Sequence, residues 1–384
     1  MPKETSSEIM YRTRPYSFCM AVPKKSPAVF VGGKFWVVRF STTKNKNTKL
    51  AVHQGFCKEL RLVQDEQFLV AFVFGDHEII KYDAHTLQKV KIIRLEYCLL
   101  ASEIISPMNL IFARVNNNEL MLINIDSFNL FETAKIDFGS CLAANPTQDF
   151  LYFSMIDSPE ADAMNVSDVK EPDYSLFRMN VKTLAVENLF KLPKMPYRIY
   201  FSKDGALIYF IWDEVLEIYS LAEKKQLHVI KDLGYVTLLM FHAEDEKFIL
   251  MATDKGDIHV VSNQDYKLIK TVKTNTFEIV DMAVRGKHLV TLSKTGEIAY
   301  TLLTEFGVPN GPEVHFTEPE SEDDDLKKEP YVPYKFYERT GIKKKFEKDE
   351  RAILSVKVES EASKNKELAR KKFDEDLIKA MQNS

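Results

Sequence analysis

The sequence predicts an all-β protein: a ring of four-stranded sheets repeated seven times, followed by a charged, partly helical C-terminal extension. Three observations carry this. A strand–turn–strand unit recurs at steps of about forty residues. Its apolar stretches are short, rich in Val, Ile, Phe and Tyr, and bounded by turn residues. Charge density changes near residue 304, where 35 of the last 81 residues are acidic or basic, against 73 of the first 303.

Residues 247–258 and 287–298 show the unit most plainly. Each reads as an apolar strand, a Lys-containing turn ending in Gly, then an acidic residue opening a second strand. Gly at the turn supplies the positive φ that a tight hairpin requires. Phe68–Tyr82, Leu110–Ile125 and Leu207–Tyr219 repeat the pattern upstream. A polar turn follows each second strand, as at Asp83 and Asn180, whose side chains can cap it. Marking that turn gives Ser41, Asp83, Asp126, Asn180, Ser220, Ser262 and Leu302, at steps of 42, 43, 54, 40, 42 and 40. The long step contains a polar insertion at 157–173, rich in Asp, Glu, Ser and Pro.

A period of ~40–45 residues built from four short strands is the spacing of a β-propeller blade. Helical repeats of that length would place apolar residues at i, i+3 and i+4, which these segments do not. Leu69, Val70, Ala71, Phe72, Val73 and Phe74 are apolar on both faces. A strand sandwiched between neighbouring sheets needs such a run. Tyr82-Asp83 stands where the Trp-Asp dipeptide of a WD repeat would fall, and Tyr219-Ser220 is a weaker echo. Over roughly 14–317 the chain resembles the WD-repeat and YVTN-type seven-bladed propeller superfamily. No Gly-His dipeptide opens a blade, so the buried Asp–His network of strong WD repeats is mostly missing. The resemblance implies a rigid disc whose loops recognise other molecules.

The chain divides into an N-terminal arm (1–13), the propeller (14–317), an acidic, aromatic and basic linker (318–345) and a helical tail (346–384). The first inner strand begins near Tyr16. The last blade is closed either by a strand at 313–316 or by the extreme N-terminus.

The function classes narrow from composition. A net charge of -4 gives no global basic excess for nucleic acid. Four Cys without a CxxC pair fit neither a disulfide scaffold nor zinc-ribbon spacing. The polar N-terminus lacks a signal-peptide stretch, and no apolar run approaches the ~20 residues of a membrane span. The expectation is an intracellular protein, cytoplasmic or nuclear. Cys19, Cys57, Cys98 and Cys141, spaced 38, 41 and 43 apart, mark the starts of four successive inner strands. Spread around a wide channel, they would not converge on a metal with Zn–S near ~2.3 Å, so they read as small apolar residues. His77, His259 and His288 read as satisfied hairpin residues. Gly32-Gly33-Lys34 lies between strands, so it reads as a turn rather than a phosphate loop. The inner strands carry no Asp or His in phase, and Asp281 and Glu278 stand isolated. No catalytic residue, cofactor or metal is therefore expected.

The candidate partner-binding residues are Glu160, Asp162, Asp168 and Lys170 in the insertion, then Tyr334 and Phe336, then Lys343, Lys344 and Lys345. Leu368, Phe373, Leu377 and Met381 complete the set as the apolar stripe of the tail helix. The expected function is a non-catalytic scaffold for protein–protein interaction within a larger complex. The alternative is an accessory, non-catalytic subunit of a nucleic-acid-processing enzyme or ribonucleoprotein, its Lys-rich loops on phosphates.

Overall fold

The computed structural model describes residues 8–12 and 16–309, apart from 44–45, 76, 106–107, 117–118, 136–140, 157–172, 213, 242–246 and 276. Two compact units divide at residue 324. The second lies outside the described residues, as do the linker and tail expected there. The first is a β-propeller of antiparallel sheets.

Strand order alternates between burial and exposure for a plain reason. Within a four-stranded meander, the two central strands meet neighbouring sheets on both faces, while the outermost meets solvent. Leu207–Trp212 is buried almost throughout, whereas the outer strands Lys89–Arg94 and Leu268–Lys273 are largely exposed. Continuous apolar runs and alternating Lys-rich ones therefore belong to different positions in one repeat. The turn residues read from sequence close the third strands. Asp83 Oδ1 accepts from the Thr86 N–H at 2.7 Å, Asn180 Oδ1 from the Thr183 N–H at 3.0 Å, and Ser262 Oγ from the Gln264 N–H at 3.3 Å. One mark moves. The capping residue of the third unit is Asn124, whose Oδ1 accepts from the Ser127 N–H at 2.8 Å, rather than Asp126.

Among the described residues, five sheets have four strands and one has six, Ser17–Ala21 through Lys89–Arg94. Two of its members are long, Ala28–Ser41 and Lys46–Val63. The first folds back on itself. The Thr42 N–H donates to the Pro27 carbonyl at 2.9 Å, and Phe35 takes a φ of 71° at the bend. The turn read at Gly32-Gly33-Lys34 is this bend. Lys46–Val63 pairs with Ala28–Ser41 through its first half and with Phe68–Phe74 through its second.

The last sheet is completed from the N-terminus. Glu8–Arg12 pairs antiparallel with Glu297–Leu302, outside Ile279–Arg285 and His288–Ser293. This selects the clasp over a strand at 313–316, and those residues lie outside the described set. The ring also closes through side chains. Arg285 donates from Nη1 to the Ala28 carbonyl and from Nη2 to Thr42 Oγ1, both at 2.9 Å.

The core is a circle of hydrophobic clusters, each between adjacent strand sets. One joins Leu60, Leu69 and Tyr82 to Phe30 and Val37, both groups within the six-stranded sheet. Another joins Val31, Trp36 and Phe40 to Val290, Leu292 and Ile298, across the closure. Tyr82, at the Trp position of the WD comparison, is fully buried. A buried aromatic such as Phe72 or Phe210 is worth ~3–5 kcal/mol against Ala, and these clusters hold many.

Candidate interaction face and central channel

Antiparallel alternation puts the entry to every inner strand at one end of the ring, with the hairpins between second and third strands. An aromatic residue stands at these entries again and again. Tyr16 precedes Ser17–Ala21, Phe56 precedes Cys57, Tyr97 lies before Leu99–Ile105, and Tyr197 precedes Arg198–Phe201. Tyr235 precedes Val236–Phe241, and Phe277 lies before Ile279–Arg285. The entry to Leu142–Ala144 is the exception, with Ser140 and Cys141 in those positions. Most of these rings face water, while Tyr197 packs partly against two core clusters. Tyr16 is 61% exposed, Phe277 49%, Tyr235 44% and neighbouring Leu100 43%. Tyr197 and Tyr235 stack with centroids 5.7 Å apart. Water-facing aromatic rings repeated around one rim form a large apolar surface of the kind proteins keep for contact.

The collar surrounds the mouth of a central cavity of about 890 Å³. Its wall carries charge. Arg61 Nη2 lies 2.8 Å from Glu59 Oε1, and Ser102 Oγ donates to the other Glu59 oxygen. Asp281 accepts from two backbone N–H groups, Met20 through Oδ2 at 2.7 Å and Met282 through Oδ1 at 2.8 Å. Glu103 accepts only from the adjacent Ile104 N–H, at 3.2 Å, among the described residues. Desolvation in this wall pushes the Glu103 carboxyl up to about 7, with the Arg61 charge opposing it. Desolvation also raises Asp281, against its backbone hydrogen bonds and Arg61.

These residues correct one expectation. Asp281 is not isolated; it shares the wall with Glu59, Arg61 and Glu103 from two other inner strands. The sequence reading asked for one residue type in phase, whereas the wall mixes carboxylates and guanidinium at staggered positions. Glu278 pairs instead with Lys294, at 3.0 Å.

The thiols need a second correction. They are not all dispersed. Cys19 Sγ lies 3.7 Å from Cys57 Sγ and donates to the Cys57 carbonyl at 3.2 Å. Gly32 makes room for the pair: a Cβ there would sit 2.6 Å from both sulfurs. Burial pushes the Cys19 thiol well up, with Cys57 adding to it, so it is held in its unreactive form. Cys98 contacts His77 Nε2 at 2.9 Å, and Cys141 donates to the Pro196 carbonyl at 3.4 Å. His259 is satisfied on both ring nitrogens, by Thr271 Oγ1 at 2.8 Å and the Leu233 carbonyl at 2.7 Å. Among the described residues, no three His, Cys, Asp or Glu side chains converge as a metal site requires. No helix among them is long and apolar enough to cross a membrane.

Glu160, Asp162, Asp168, Lys170, Tyr334, Phe336, Lys343, Lys344, Lys345, Leu368, Phe373, Leu377 and Met381 all lie outside the described residues. The collar was missed, although its signal is present: an aromatic residue one or two positions before six inner strands, visible once strand starts are aligned, with Ser140 and Cys141 standing there before Leu142–Ala144.

Comparison with known proteins finds no matching family model and no matching curated protein. The fold and this face therefore carry the functional reading.

Proposed function

We propose that the chain is a seven-bladed propeller acting as a non-catalytic scaffold, docking a protein partner on the collar face within a larger intracellular complex. The collar is the observation that carries this reading. A rim of exposed aromatic side chains at equivalent positions is expensive in water, and occupancy by a partner offsets that cost. The seventh blade rests on the six-stranded sheet. Its fold-back at Phe35 and the split pairing of Lys46–Val63 divide it into two four-stranded meanders. A hydrophobic cluster lies between those halves, as between other neighbouring sheets. The non-catalytic reading is supported by the channel, where Glu59 and Asp281 are held by partners within the protein.

The experiment is crosslinked affinity capture with the full chain, compared with a Tyr97→Ser/Tyr235→Ser/Phe277→Ser variant. The reading expects a stoichiometric protein partner that the variant loses while keeping its cooperative thermal transition. Equal retention by the variant, or enrichment of nucleic acid alone, overturns it.

A further inference from the structure

The collar is not uniform, and one sector has a distinct chemistry. Where the first two inner strands begin, four phenylalanines gather at the rim. Phe18 meets Phe56 edge-on at 5.8 Å, and Phe35 lies 6.2 Å from Phe56. Phe35 and Phe56 are each 37% exposed. Two ammonium groups lie over these rings. Lys34 Nζ stands 5.0 Å from the Phe35 centroid and 5.4 Å from that of Phe56, and Lys58 Nζ 5.2 Å from Phe74. Neither lysine has a carboxylate partner among the described residues. Elsewhere at the mouth Glu278 pairs with Lys294 and Arg61 with Glu59.

A cation resting on an aromatic face keeps its full charge while losing part of its water. It is poised for an anion that arrives beside an apolar group. We propose that this Phe–Lys sector docks an acidic peptide segment carrying a Phe or Leu side chain, presented by a protein partner. The inference rests on the scaffold reading and names the chemistry of what the scaffold holds. The apolar side chain would cover Phe35 and Phe56, and the acidic ones would pair with Lys34 and Lys58. A nucleic-acid strand fits less well. Glu59, Glu103 and Asp281 line the channel beside Lys58, and a polyanion crossing the mouth would meet them. A short peptide places negative charge only where the lysines are.

The test uses the full chain and fluorescence anisotropy with a labelled dodecapeptide, Glu-Asp-Phe-Glu repeated three times. Three further probes are the same peptide with Lys for each acid, the acidic peptide with Ser for each Phe, and an oligothymidylate. Wild type should bind the acidic Phe peptide, more weakly as salt rises. Lys34→Glu/Lys58→Glu should weaken this roughly tenfold or more and gain affinity for the Lys peptide. If that variant does not fold, Lys34→Gln/Lys58→Gln should show the loss without the gain. The proposal is overturned if wild type does not bind the acidic Phe peptide, or if the charge variants bind it as wild type does. Equal binding of the Ser peptide, or tighter binding of the oligothymidylate, also overturns it. The capture experiment varies Tyr97, Tyr235 and Phe277 and leaves Lys34 and Lys58 intact, so a partner captured by wild type and lost by that variant, with no acidic-peptide binding, sinks this inference alone.

Discussion

Gly256 shows how much one missing side chain can matter. It sits at φ +79°, in the hairpin before Asp257–Ser262, and an added Cβ would lie 2.3 Å from the Asn275 carbonyl oxygen. The obstruction is backbone, which cannot swing aside. Asn275 is itself fixed, accepting from Thr291 Oγ1 at 2.6 Å and donating to the Glu297 carbonyl at 3.2 Å. Gly256→Ala should therefore cost about 2–3 kcal/mol, combining φ strain with overpacking, and a thermal melt should show it as a clear fall in Tm. An unchanged Tm would mean the hairpin relaxes freely. Glu103 makes a pH prediction. Its folded value of about 7 lies above the ordinary carboxylate value of 4.5, so the folded state binds the proton more tightly. Its contribution is full below 4.5 and is lost as pH rises toward 7. Glu103→Gln should leave stability at pH 5 nearly unchanged and raise it at pH 8 by about 1–2 kcal/mol, after discounting for water in the channel. Urea unfolding at the two pH values checks this; equal effects at both would refute it. His53 works in the opposite sense. Burial lowers it to about 4, so its contribution is present above its ordinary value and is lost as pH falls through about 4.

At the scale of elements, the clasp is the contact most open to test. Glu8–Arg12 covers the outer edge of Glu297–Leu302, and uncovering it exposes a row of unpaired N–H and C=O groups. Deleting 1–13 should lower Tm and produce dimers or aggregates on size-exclusion chromatography. A monomeric truncation of unchanged Tm would show the clasp to be dispensable. Much at this scale was legible in the sequence. The marks at Ser41, Asp83, Asn180, Ser220, Ser262 and Leu302 are the last residues of third strands, and at Asp83, Asn180, Ser220 and Ser262 the side chain that ends the strand also caps the turn. Asp126 misled because it lies two residues past Asn124 in a turn where either side chain could accept. The choice of closing strand was not legible: both ends of the chain offer short segments able to form a strand, and pairing is decided by which end reaches the open edge.

For the whole molecule, the ring should be autonomous. Among the described residues its hydrophobic clusters run from sheet to sheet and close on themselves through Val290, Leu292 and the first strands. Deleting 360–384 should therefore preserve a single cooperative thermal transition while weakening partner capture. Loss of that transition would place the tail in the core.

The sequence by itself determined the repeat, the strand type and the turn chemistry, since these depend on residues near one another along the chain. Periodicity records which faces are apolar, and turn residues record local φ. The tertiary structure decided the clasp, the meeting of Cys19 with Cys57, the wall shared by Glu59, Arg61, Glu103 and Asp281, and the aromatic rim. Each joins residues from separate turns of the repeat, and their distances follow from how a ring closes. Local sequence carries no record of that closure.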